Sequence, residues 1–124
     1  MNVLIIHAHE NPLSYSSALK DKSVEVFTAM GATVKVSDLY AMNFNPVASK
    51  KDFTALSTSD YYKIQAEQKH AAENNLFADD IRFEMDKLLW CDILLFNFPL
   101  WWFSMPAILK GWVDRVFAFG FSYG

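Results

Sequence analysis

The stretch from Asp92 to Val116 limits the possible folds more than any other part of the chain. Ile93-Leu94-Leu95-Phe96-Asn97-Phe98 is a nearly continuous apolar run, the pattern of a strand covered on both faces. Pro99 has no N–H to give a ladder, so the strand should stop there. Ser104 is placed to cap a helix and Pro106 suits its first turn. Ile108, Leu109, Trp112, Val113, Val116 and Phe117 then recur at helical spacing. Between strand and helix lie Leu100, Trp101, Trp102 and Phe103. Three consecutive large aromatics cannot all face one core from a turn, so at least one should be exposed, lining a pocket or an interface. Ligands of an open parallel sheet bind beyond the carboxyl ends of its strands, so this loop suggests a flat aromatic ligand.

The preceding chain supplies partners for that strand. Asn2-Val3-Leu4-Ile5-Ile6-His7 reads as a buried strand and Thr33–Asp38, alternating and rich in β-branched residues, as a second. A helix from about Ser17 to Met30 joins them, expected to bury Leu19, Ser23, Val26, Phe27 and Met30, with Gly31 just past its end. Such a β-α-β unit has parallel strands and a right-handed crossover. Leu39 to about Asp60 reads as a surface excursion, and Tyr61–Asn75 as a polar helix. Asp79–Trp90 is a better helix, with Ile81, Met85, Leu88 and Leu89 on one face and Asp79 and Asp80 at the positive end of the dipole. Phe117–Gly124 is aromatic rather than a polar tail, and the third strand keeps one bare edge. Either further strands follow or another chain covers that edge.

A net charge of −3 without runs of like charge gives no pointer to nucleic acid or anionic membranes. Cys91 is the only cysteine, which rules out an internal disulfide and suits a reducing compartment. No apolar stretch is long enough to span a bilayer, and no basic leader opens the chain; the expectation is a cytoplasmic protein without direct membrane insertion. Glycine occurs only at 31, 111, 120 and 124, so neither G-x-G-x-x-G nor the P-loop pattern is present. The first loop instead offers His9, Ser14, Tyr15, Ser16 and Ser17, and hydroxyls with free amides at a helix N-terminus can hold a phosphate. The plainer alternative makes Ser14 or Ser16 a helix cap. His7 reads as a packing residue at a strand end, and His7 with His9 makes no convincing metal pair. Cys91 reads as a buried structural thiol, and Tyr61 and Tyr62 as packing for the excursion.

Phe98-Pro99-Leu100-Trp101-Trp102-Phe103-Ser104-Met105-Pro106-Ala107-Ile108-Leu109-Lys110-Gly111-Trp112-Val113-Asp114-Arg115-Val116 closely resembles the signature of the NAD(P)H:quinone oxidoreductases. Ser37-Asp38-Leu39-Tyr40-Ala41-Met42-Asn43-Phe44-Asn45-Pro46 and the opening His9, Pro12, Ser14-Tyr15 are similar to that family too, in the right order. The resemblance implies one flavodoxin-like α/β domain over residues 1–124, a three-layer open parallel sheet in strand order 2-1-3, truncated after its third strand and following helix. It implies a flavin, FAD or alternatively FMN, reduced by NAD(P)H and reoxidised by a quinone in a ping-pong, two-electron cycle, in a homodimer. His9, Ser14, Tyr15 and Ser16 would contact the phosphate arm. Pro99, Leu100, Trp101, Trp102 and Phe103 would lie along the isoalloxazine ring. Trp102 and Phe103 would also wall the nicotinamide and quinone pocket, and Tyr123 would reach the partner subunit's pocket. A flavin-contacting Gln of some relatives falls at Lys63, with Gln65 close by. The family continues past the position of Gly124 with further strands, a Gly-rich flavin loop, and the Tyr and His that relay charge, so weak or no turnover is expected of these residues alone. Two alternatives stand beside the enzyme: an ancillary flavin-binding subunit of a potassium-efflux system, and an inactive truncated fragment.

Overall fold

A computed structural model describes residues 1–57 and 60–124. Strands β1 (Asn2–His7), β2 (Thr33–Asp38) and β3 (Ile93–Asn97) form one parallel sheet in the order β2-β1-β3, as the resemblance implies. His7 stands opposite Asp38 on one side and Asn97 on the other. Around the sheet lie helices α1 (Tyr15–Ala29), α2 (Ile64–Asn74), α3 (Asp79–Trp90) and α4 (Ala107–Val116). β1 is central, and Val3, Leu4, Ile5 and Ile6 are fully buried. Successive side chains of a strand point to opposite faces. Leu4 and Ile6 accordingly enter the core with Ile81 of α3 and Leu109 and Trp112 of α4, while His7 faces α1 and meets Ser17.

The helix between β1 and β2 starts at Tyr15, two residues before the expected start at Ser17, behind the Ser14 cap that the plainer reading of the loop offered. Ser14 caps it by accepting from the Ser17 amide at 3.0 Å, and Gly31 takes the left-handed conformation (φ 88°) just past its end. Its buried face differs from expectation. Leu19, Val26 and Met30 are exposed, Ser23 and Phe27 are half-buried, and only Ser17 is buried. α1 contacts β1, β2 and β3, and a helix that packs on the sheet without a flanking helix buries a narrow stripe.

The segment after β2 corrects a second expectation. It is no surface excursion: Leu39, Phe44 and Phe53 are buried, and a 3-10 turn (Lys50–Asp52), closed by a Ser49–Asp52 capping box, buries Asp52. Thr58 and Ser59, within that excursion, lie outside the described residues. α2 begins at Ile64 rather than Tyr61, and part of its buried side is polar. Glu67 accepts from the Ser57 amide (2.8 Å) and hydroxyl (2.6 Å), and Gln68 accepts from the Phe119 amide at 2.9 Å. Glu67 and Gln68 therefore each have the partner their burial demands. Tyr62 is half-buried against the core.

α3 has the expected bounds and buries Ile81 and Met85, with Leu88 half-buried, but Leu89 is exposed. Glu84 takes a place in the buried stripe instead, accepting from Trp112 Nε1 (3.0 Å) and Lys87 Nζ (2.6 Å). Asp79 meets Arg82, and Asp80 serves more than the helix dipole, because it pairs with Arg115. Ser104 is not the cap of α4; Pro106 precedes the helix with no side-chain cap, and Ser104 is held in a turn with Trp101. The expected apolar face of α4 is present, with Trp112 edge-on to Phe96 (5.8 Å) and Phe117 (5.2 Å). β3 ends one residue before Phe98, is half-buried throughout, and pairs on one side only, as the bare-edge reading predicts. The aromatic C-terminal residues fold back, with Ala118 buried and Phe119 edge-on to Tyr123 at 5.3 Å.

Candidate functional site

β1 and β3 end side by side, so their following loops emerge together at the carboxyl edge of the sheet. The Ala8 amide donates to the Asn97 carbonyl at 3.0 Å and ties the two exits. His9 then stands edge-on to Trp101, ring centroids 6.1 Å apart at 66°. Its Nδ1 accepts from the Asn11 amide at 3.0 Å, which holds the ring in place. The residues singled out in the first loop and in the aromatic loop are thus neighbours in space.

The aromatic loop is a tight turn closed by two backbone hydrogen bonds between Trp101 and Ser104, at 2.9 and 3.1 Å. Trp102 (φ 50°) and Phe103 (φ 60°) both occupy the left-handed region, where a side chain costs roughly 1–2 kcal/mol per residue. Glycine and asparagine usually fill such a turn. Two aromatics there hold their rings away from the body: Trp102 is 93% and Phe103 97% exposed, against 45% for Trp101. Strain of this kind concentrates at functional sites. Trp102→Gly should raise the urea midpoint, since relief of strain outweighs the loss of a ring that packs on nothing. An unchanged or lower midpoint would show the turn to be unstrained.

The first turn of α1 faces the same edge. Ser14 Oγ and Ser17 Oγ are committed to each other and to the loop, so the capping role holds for Ser14. Among the described residues the amides of Tyr15, Ser16, Trp102 and Phe103 have no hydrogen-bond partner. They form two sets of free donors, one at a helix N-terminus and one along an apolar turn.

Beneath the site lies a buried polar network that sequence reasoning missed. Asn97 Nδ2 lies 2.8 Å from the Ser16 carbonyl and 2.9 Å from His7 Nδ1, and His7 Nε2 lies 3.3 Å from Ser17 Oγ. The available signal was Asn97 itself, the one polar residue in an apolar run. His7 packs at the strand end as expected, and burial pushes its pKa below the ordinary 6.5, outweighing the opposing pull of Asp38. Below that value the unfolded chain takes up a proton that the folded chain refuses, so stability should fall as pH drops through 6.5 and be complete above it. Urea midpoints at pH 7.5 and 5.5 test this, and His7→Gln should flatten the difference.

Tyr123 sits apart from the aromatic loop. Its hydroxyl accepts from Gln65 Nε2 at 3.1 Å, and with Ile64, Gln65, Val113 and Phe117 it borders a cleft of about 880 Å³ that Trp101–Phe103 do not line. Lys63 lies over the Tyr61 ring at 5.6 Å. Among the described residues no group of three His, Cys, Asp or Glu side chains is placed to hold a metal ion, and no helix is long and apolar enough to cross a membrane.

Comparison with known proteins decides the family. The model of the flavodoxin-like fold matches residues 1–124. The chain belongs to the flavodoxin-like family. It is 48% identical over 122 residues to a ribosyldihydronicotinamide dehydrogenase (quinone) of Pongo abelii, covering 98% of this chain and 53% of that protein. A solved structure from Klebsiella pneumoniae shares 43% identity and superposes with a TM-score of 0.94, over 97% of this chain and 46% of that one. The NAD(P)H:quinone oxidoreductase of Methanothermobacter marburgensis is 31% identical with a TM-score of 0.80, over 99% of this chain and 56% of that one. The chain spans about half the length of the curated relatives it matches.

Proposed function

We propose that this protein is a flavin-dependent oxidoreductase that carries two electrons from NAD(P)H to a quinone, with FAD as the cofactor (FMN the alternative), and that it works as a homodimer. The observation that carries this reading is the meeting of His9 with Trp101 at 6.1 Å beneath an exposed Trp102-Phe103 turn. That arrangement sets an anion site beside an apolar surface, which fits a flat ring with a phosphate arm. The relatives named for quinone reduction support the substrate class.

Each part of the site then has a task. The free amides of Tyr15 and Ser16, with the hydroxyls of Tyr15 and Ser16, would hold the phosphate arm at the positive end of α1, which Ser14 caps, and His9 would lie against it. Pro99, Leu100 and Trp101 would flank the ring, while the Trp102 and Phe103 amides would donate to its electron-rich edge. Fixed donors of that kind tune a cofactor without covalent chemistry of their own. When bound, the flavin would supply reversible two-electron uptake. Trp102 and Phe103 would wall a surface that NAD(P)H and quinone occupy in turn, keeping water out, and Tyr123 would reach the corresponding pocket of a second copy.

A titration following the quenching of FAD fluorescence tests the reading. Saturable binding is expected, weakened about tenfold by Trp101→Ala, as loss of one aromatic contact requires. Absence of saturable quenching with both FAD and FMN would overturn the proposal.

A further inference from the structure

We propose that Asn97 and His7 are positioning residues that hold the two halves of the candidate site in register, and that this clamp is closed only while His7 is uncharged. The inference builds on the flavin reading above, but its core is a matter of donors and acceptors. A carbonyl only accepts, so the 2.8 Å contact with the Ser16 carbonyl sets the Asn97 amide with its nitrogen toward α1. The same nitrogen lies 2.9 Å from His7 Nδ1, which must therefore accept and carry no proton. The ring's single proton is then on Nε2, directed to Ser17 Oγ at 3.3 Å. Ser17 Oγ passes its own proton to the Asn11 carbonyl at 2.8 Å and accepts from Ser14 Oγ at 3.0 Å. One tautomer satisfies every member of the network.

The path of the network gives it a consequence for binding. At one end is the first turn of α1, with the free Tyr15 and Ser16 amides. At the other is the last residue of β3, two positions before Pro99 opens the aromatic loop. Proton uptake at Nδ1 would set an N–H against the N–H of Asn97 and open the clamp between them. The charged groups facing His7 are Asp38 of β2, Lys20 and Asp21 of α1, and His9 of the first loop. Burial, with Lys20 and His9 acting in the same direction, outweighs Asp38 and Asp21 and lowers the pKa of the ring.

The test pairs a ligand-dependent readout with a ligand-free one. FAD affinity of the wild-type protein should fall about tenfold or more between pH 8 and pH 5, the size of effect that losing one to two hydrogen bonds produces. His7→Gln should abolish that fall. Asn97→Leu should weaken FAD about tenfold at pH 8 and leave little further pH dependence. An equal fall in His7→Gln would overturn the inference. Independently, ¹H–¹⁵N NMR of the wild-type protein should show His7 with a bare Nδ1. Its acid titration should move the amides of Ser16, Ser17 and Trp101 together, a coupling absent in Asn97→Leu. A proton on Nδ1 at neutral pH, or a titration that leaves those amides unmoved, overturns the clamp whatever FAD does. FAD binding absent at every pH, with the NMR coupling intact, would defeat the flavin reading and leave the clamp standing.

Discussion

Arg115→Ala should lower unfolding free energy by about 3–5 kcal/mol, the usual cost of stranding a buried charge. Arg115 is 2% exposed and holds three separate parts of the chain. Its Nε donates to Asp52 Oδ1 at 2.9 Å, and its Nη1 donates to the Asn45 carbonyl at 2.8 Å. Nη1 and Nη2 donate to the Asp80 carboxylate at 2.7 and 3.2 Å. Burial alone would lower the pKa of this guanidinium, but Asp80 and Asp52 reverse the effect and raise it, so the arginine is charged throughout. Removing it leaves the buried Asp52 carboxylate without its counter-charge and frees the 44–53 segment from α3 and α4. Arg115→Lys should recover only part of the loss, since an ammonium lacks the planar fork that spans Asp52, Asp80 and Asn45. The contrast is Lys110→Ala, which breaks an exposed pair with Asp114 and should cost under about 1 kcal/mol. Urea unfolding of all three variants decides the matter, and a loss under about 1 kcal/mol for Arg115→Ala would show that the cluster does not clamp the segment.

Gly111→Ala should also destabilise, against the sign that helix propensity predicts. Alanine in the middle of a helix is ordinarily better than glycine by roughly 1 kcal/mol. A Cβ built at Gly111, however, would lie 2.2 Å from the Pro46 carbonyl oxygen and 2.3 Å from its Cα. Both are backbone atoms, so no rotamer change makes room; either α4 or the segment after β2 must move. The expected loss is about 3 kcal/mol or more, at the upper end of overpacking effects. The same urea experiment reads it. Stabilisation would mean that the segment around Pro46 does not pack on α4 as described.

Both predictions concern the segment that the sequence presents as surface, and that points to where legibility ended. The strands were readable because their signal is local: β-branched and apolar runs at 2–7, 33–38 and 93–97, each stopped by turn chemistry. The aromatic loop was readable for a related reason. Leu100 to Phe103 follow a strand end and precede a helix, and no local arrangement could bury them all. Helical periodicity located α3 and the apolar face of α4, but it could not say what covers a face. Leu19, Val26 and Met30 have the spacing of a buried stripe and are exposed, because burial depends on a neighbouring element.

Buried polar residues were hidden for a further reason. Asp52, Glu67, Glu84 and Arg115 look like solvated surface in a sequence, since a charge is tolerated inside only when its partner is there. The partners of Arg115 are 63 and 35 residues away, and Asn97 finds His7 at a separation of 90. The strands, the chemistry of the two loops and the family they resemble are written in local runs of residues. Which charges are buried, which apolar face is left open, and the meeting of His9 and Trp101 at one edge are properties of residue pairs that come together only in the fold.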